Sequence, residues 1–105
     1  MNRGCLYWAE LDKRRPVLVI SPDVRNRLAN DVVVLPCSST LRPLVWHVRL
    51  DRGEGGLKEA SMVKCEAPQT IPKEWLGIEP LGRALSPARL EQVERALLSA
   101  LGILV

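Results

Sequence analysis

The chain has 105 residues, 47% of them hydrophobic and 26% charged, with a formal net charge of +3. That length holds one packed core and excludes two, and that balance excludes a disordered chain. The net charge is too small to argue for nucleic-acid binding by itself, but residues 1–53 hold 9 of the 15 Lys/Arg and only 5 of the 12 Asp/Glu, so a polyanion would meet the N-terminal half first.

Residues 4–11 alternate loosely and include Tyr7 and Trp8, both strand formers. Asp12-Lys13-Arg14-Arg15 reads as a short charged turn. Pro16-Val17-Leu18-Val19-Ile20-Ser21 is a continuous apolar run, the pattern of a strand buried on both faces, and Pro22 ends it. Residues 23–31 are polar, with room for one helical turn. Residues 32–38, Val-Val-Val-Leu-Pro-Cys-Ser, form a second buried strand. Residues 45–51 alternate, so Trp46, Val48 and Leu50 should face the core while His47 and Arg49 face solvent. Gly53-Glu54-Gly55-Gly56 is a turn. Residues 60–66 are a short strand, Gln69-Thr70-Ile71 an extended piece closed by Pro72, and Leu81–Leu85 a last strand.

Ser86-Pro87 opens a helix, with serine at the cap and proline at the first helical position. Leu90, Val93, Leu97 and Leu101 recur at helical spacing, and Gly102 is the stop. Many short strands followed by one terminal helix predict a mainly β (α+β) single domain over 1–105: a small SH3-like β-barrel with a C-terminal amphipathic helix across one face.

Two strands thus each deliver a polar group at one end, Arg15 before the first apolar run and Ser38 after the second. If the strands are neighbours, the two groups meet on one phosphate. Cys5, Cys37 and Cys65 are odd in number, widely spaced and set beside apolar runs, so they read as buried reduced thiols of a cytoplasmic protein. No Cys-x-x-Cys or Cys/His cluster exists, so no metal and no cofactor is expected. The N-terminus lacks a signal-peptide core, and no apolar stretch is long enough to span a bilayer, so no membrane is expected.

The chain resembles the MazF/PemK family of toxins from bacterial type II toxin–antitoxin systems. The residues that carry the resemblance run in order along the chain. They are Arg3-Gly4 with Tyr7-Trp8-Ala9-Glu10-Leu11, Arg15-Pro16-Val17-Leu18-Val19-Ile20-Ser21, and Pro36-Cys37-Ser38-Ser39. Gly56-Leu57 through Glu66, Gln69-Thr70-Ile71, Leu81-Gly82-Arg83 and Ser86-Pro87 follow. Two departures stand out: the first connection, Asp12 to Arg15, is short where many relatives have a longer Gly- and Glu-containing loop, and Ser38 replaces a common Thr.

The resemblance implies a homodimeric, metal-independent, sequence-specific endoribonuclease acting on single-stranded RNA. It also implies a cognate antitoxin laid over the RNA groove, with operator DNA reached only through that antitoxin. Arg15 and Ser38 would be catalytic. Arginine would stabilise the charge of the transition state and serine would donate to the phosphate, while the RNA's own 2′-hydroxyl attacks. Arg14, Arg25, Arg27, Ser39, Thr40, His47 and Arg49 would contact RNA, the arginines lining one groove. His47, the sole histidine, is read as a strand residue on the solvent side that touches RNA without catalysing, although some relatives carry histidine there too. Trp8 and Trp46 are read as core, and Trp75 as exposed. Two other classes share the barrel: a gyrase poison like CcdB, which needs a Trp near the C-terminus that this chain lacks, and a catalytically silent binding module.

Overall fold

The structure, a computed structural model, describes residues 1–104. Six strands form in the order β1 (Leu6–Glu10), β2 (Arg14–Val19), β3 (Asp31–Ser38), β4 (His47–Leu50), β5 (Ser61–Lys64) and β6 (Gln69–Pro72). A short helix α1 (Asp23–Leu28) follows β2, and a long helix α2 (Pro87–Ala100) closes the chain.

All neighbouring strands are antiparallel, in the order β1-β2-β3-β5-β4. Strand β3 is shared by two sheets. Its residues Asp31–Val34 pair with β6 and Val34–Pro36 with β2, whereas Cys37 and Ser38 pair with Val63 and Met62 of β5.

The apolar runs of β2 and β3 are buried on both faces, as their sequence predicts. Alternate residues enter different cores. Leu18, Leu35 and Cys37 join Leu6, Leu50, Val63 and Val93 in one. Val17, Val19, Val32 and Val34 join Tyr7 and Ile71 in the other. Helix α2 lies over the first core with Val93 fully buried and Leu90, Ala96 and Leu97 partly so. Its cap is the expected one: Ser86 Oγ accepts the Arg89 N–H at 3.1 Å. It ends at Gly102, φ +77°, where the Gly102 N–H bonds Ser99 O and the Ile103 N–H bonds Leu98 O. Leu101, placed on the apolar stripe by its spacing, sits at this cap and is exposed.

Three expectations are corrected. First, among the described residues no ladder joins β1 to β4, so the sheet stays open and the predicted barrel does not close; the class remains α+β. Second, Leu81–Leu85 is not a strand. Pro80 and Gly82 break the run, and residues 77–85 reach β1 only at every fourth residue. Gly77, Leu81 and Leu85 donate to the carbonyls of Trp8, Leu6 and Gly4 at 2.8, 2.8 and 2.9 Å. The loop satisfies the free edge of β1 without pairing with it. Third, Trp8 and Trp46 are not core: they are 38% and 40% exposed, close to the 46% of Trp75. Trp8 lies opposite Pro16 on the Leu6 face of β1, which the first core no longer covers there, while Ala9 on the other face stays buried; Trp46 stands just before β4 begins.

Candidate active site

Strand β2 begins at Arg14, so Arg15 belongs to the sheet rather than to the turn before it. The β2–β3 ladder ends at Val17–Pro36, and the next two residues of β3, Cys37 and Ser38, pair with β5. Arg15 and Ser38, the two groups that the sequence places at strand ends, both line one cleft.

The Arg15 side chain is 14% exposed. Its Nη2 donates to Asp12 Oδ2 at 2.8 Å and its Nη1 reaches Cys37 O at 3.5 Å, while Nε is buried without a partner. Desolvation raises the Asp12 carboxyl, but the Arg15 guanidinium and the backbone N–H groups of Lys13 and Asp12 together hold it below its usual range. Ser38 Oγ accepts the Thr40 N–H at 3.1 Å, which leaves its own hydrogen available to a ligand.

These residues line a cleft of about 380 Å³ together with Lys13, Arg42, Leu44, His47, Lys64 and Glu66. Four cations face one carboxylate there, a setting for a phosphodiester. His47 does not face solvent. Its side chain is 6% exposed, and its Nε2 lies 3.0 Å from Glu66 Oε2. At His47 the outer face of β4 is covered by this cleft, which is why strand alternation misplaces it. Burial raises the Glu66 carboxyl, but the hydrogen bond from His47, its own backbone N–H and the charges of His47 and Lys64 together hold it below the usual range. His47 Nδ1 is a second buried atom without a partner.

The remaining sequence candidates go elsewhere. Ser39 and Arg14 line a neighbouring cleft, with the Arg14 guanidinium 4.7 Å from the centre of the Trp8 ring. Arg49 shares the strand face of His47 but is exposed, bonds Asp51 at 3.2 Å and does not line the Ser38 cleft. Arg25 and Arg27 lie on α1, at the far end of the β2–β3 ladder, and Arg25 clamps Asp31 there. The five arginines thus do not form one groove.

Lys13, Lys64 and Glu66 are cleft residues that the sequence reading did not single out. Lys64 is the cross-strand partner of His47, so the register of β4 on β5 is the signal that identifies it. Among the described residues no group of three or more His, Cys, Asp or Glu side chains is placed to hold a metal ion. All three cysteines are buried free thiols. Burial, and then the neighbouring Cys65, pushes Cys37 up to about 12; burial, and then Glu66, does the same for Cys65. Neither is a thiolate nucleophile near neutral pH. Among the described residues no helix is long and apolar enough to cross a membrane.

Comparison with known proteins gives the same family throughout. The family model of the PemK-like, MazF-like toxin of type II toxin–antitoxin systems matches residues 2–101. Endoribonuclease MazF3 of Mycobacterium tuberculosis is 36% identical over 97 residues, spanning 92% of this chain and 87% of the relative. The solved Mycobacterium tuberculosis toxin MazF-mt6 superposes with a TM-score of 0.87 at 32% identity, covering 96% of this chain and 99% of that one. A mycobacterial endoribonuclease in complex with its cognate antitoxin superposes with a TM-score of 0.86 at 29% identity, covering 100% and 98%. With its Arg15–Ser38 cleft and its forked β3, the chain belongs to the PemK-like, MazF-like family of type II toxin–antitoxin toxins.

Proposed function

We propose that this chain is a toxin endoribonuclease that cuts single-stranded RNA at the Arg15–Ser38 cleft. The observation that carries the reading is one cleft that holds Arg15 and Ser38 beside three further cations and one hydrogen-bonded carboxylate. Relatives named endoribonucleases support it.

In this reading the RNA's 2′-oxygen attacks the adjacent phosphorus. A 2′-O–P bond forms, the P–O5′ bond breaks, and the ends are a 2′,3′-cyclic phosphate and a 5′-hydroxyl. Arg15 offers a planar fork to two phosphate oxygens and stabilises the extra negative charge of the five-coordinate transition state. Ser38 donates a third hydrogen bond. Glu66, held by His47, is the acceptor that the cleft offers for the 2′-hydroxyl proton, and the departing 5′-oxygen takes a proton in its turn. Lys13, Arg42 and Lys64 hold the flanking phosphates.

The same reading makes the chain one functional unit in the cytoplasm, inhibited by a cognate antitoxin, as in the mycobacterial complex, and bound to operator DNA only through that antitoxin. It works as a homodimer, and the exposed Leu101, Ile103 and Leu104 after α2 give an apolar end for a second copy to cover.

Purified protein should cleave single-stranded RNA in EDTA and leave cyclic phosphate ends. Cleavage that is abolished by EDTA and restored by magnesium would overturn the mechanism.

A further inference from the structure

An alkoxide is a poor leaving group, so the departing 5′-oxygen needs a proton donor. Arg15 and Ser38 are engaged with the other phosphate oxygens, and Glu66 takes the proton of the nucleophile. The remaining side-chain nitrogens of the cleft belong to Lys13, Arg42, His47 and Lys64. Three of these are unsuited. Arginine does not release its proton in proteins, which removes Arg42. His47 gives its Nε2 hydrogen to Glu66 and so is tied to the base. Lys13 stands in the exposed turn between β1 and β2, off the sheet.

Lys64 differs on each count. It is the last residue of β5, is partly buried, and is held in register by His47 of β4. A group on a strand is aimed more closely than one on a loop. The one carboxylate of the cleft, Glu66, is paired with His47 instead, and among the described residues the Lys64 ammonium makes no ion pair or hydrogen bond. Its charge still helps hold Glu66 below the usual range. Opposite charges that share a cleft without touching leave room for a group between them.

Arg15 and Lys64 also line a neighbouring cleft of about 480 Å³ with Gln69 and Trp75, whereas Glu66 lines the Ser38 cleft only. Arg15 and Lys64 thus stand on the ridge between the two spaces, with Glu66 to one side of it. In-line displacement puts the attacking and leaving oxygens on opposite sides of phosphorus. A phosphate on Arg15 then meets Glu66 on the side of attack and Lys64 on the side of departure.

We propose that Lys64 is the general acid that protonates the departing 5′-oxygen. The inference rests on the endoribonuclease reading and adds a catalytic residue to it. As the 2′-O–P bond forms, the 2′-hydroxyl proton passes to Glu66. As the P–O5′ bond breaks, one Nζ–H bond of Lys64 breaks and an O5′–H bond forms. Glu66 ends as a neutral acid and Lys64 as a neutral amine, and water carries the proton from one to the other before the next turnover.

The test uses an RNA site that wild type cuts in a random single-stranded pool, synthesised with either oxygen or sulfur as the bridging 5′ atom. A thiol is far more acidic than an alcohol, so a thiolate leaves without a proton. Lys64→Arg keeps the charge and withholds the proton. It should lower kcat on the oxygen substrate about a hundredfold, the scale of lost general acid catalysis, and match wild type on the sulfur substrate. Arg15→Ala should lower kcat on both. A wild type that cuts nothing in the pool overturns the endoribonuclease reading and this one with it. A wild type that cuts, with Lys64→Arg equal to it on the oxygen substrate, overturns this inference alone. So does a Lys64→Arg chain that loses both substrates while binding a 2′-deoxy analogue as tightly as wild type, because Lys64 then only holds a phosphate. If Lys64→Arg misfolds, Lys64→Gln, which also has no proton to give, is read on the same two substrates.

Discussion

The β2–β3 ladder treats buried polar groups in opposite ways at its two ends. At the far end Ser21 and Asn26 are both buried and fully satisfied. Ser21 Oγ accepts the Val33 N–H at 3.0 Å and donates to Asn26 Oδ1, while Asn26 Nδ2 donates to Ser21 O at 2.9 Å and Met1 O at 3.3 Å. At the near end Arg15 Nε and His47 Nδ1 are buried without partners. A closed network of this kind fixes structure, whereas unmatched nitrogens beside a cationic cleft keep bonding capacity in reserve for a ligand. The same two strands thus carry a knot at one end and a site at the other.

Substitutions at the two ends should separate accordingly. Arg15→Ala should lower kcat at least about a hundredfold, as loss of an oxyanion donor does. Its unfolding free energy should stay within roughly 0.5 kcal/mol of wild type, because its one ion-pair partner, Asp12, is largely exposed. Single-turnover cleavage and urea titration together check this. Asn26→Ala should do the reverse. It strands Ser21 Oγ and two carbonyls, so stability should fall by about 2–4 kcal/mol, while kcat/KM well below the unfolding temperature should not change. A catalytic defect in Asn26→Ala as deep as that of Arg15→Ala would erase the distinction between the ends.

Ser38→Ala should be milder, about tenfold in kcat, the scale of one hydrogen bond, and Ser38→Thr should restore it. The smallest effect concerns Glu66. Its folded pKa is depressed below the ordinary value, so its contribution to stability is complete above the usual glutamate range and is lost as pH falls through the folded value. The melting temperature of Glu66→Gln should therefore trail wild type at neutral pH and converge with it in acid. A gap that widens in acid would mean that the His47 contact does not stabilise the carboxylate.

The parts legible in the sequence were those written locally. The double-sided burial of β2 and β3 follows from unbroken β-branched runs, and α2 follows from Ser86-Pro87 and a helical period. That Arg15 and Ser38 line one cleft needed only that the two runs be neighbours. What was illegible depends on register between distant strands. Lys64 and Glu66 enter the cleft because β5 pairs with β4 at His47–Lys64, a pairing that no local pattern encodes. His47 was misread for the same reason, since alternation gives the face of a strand but not what covers it. The Leu81–Leu85 run had the apolar content of a strand, and its hydrogen bonds went singly to the β1 edge because Pro80 and Gly82 prevent a ladder. The split of the arginines between the ends of one ladder is a matter of strand length: residues near each other in sequence on α1 are carried a full strand away from Arg15.

The forked pairing of β3 also sets when during synthesis the cleft can assemble. Arg15 and Ser38 emerge early, but Ser38 is fixed by Met62, and the opposing wall is built by Lys64 and Glu66. The first half of β3 gains its second neighbour only when residues 69–72 arrive. These are non-local pairings, which form late in folding. A nascent polypeptide that ends before Lys64 carries Arg15 and Ser38 without Lys64 and Glu66, so the cleft can be completed only after more than half of the chain has been made.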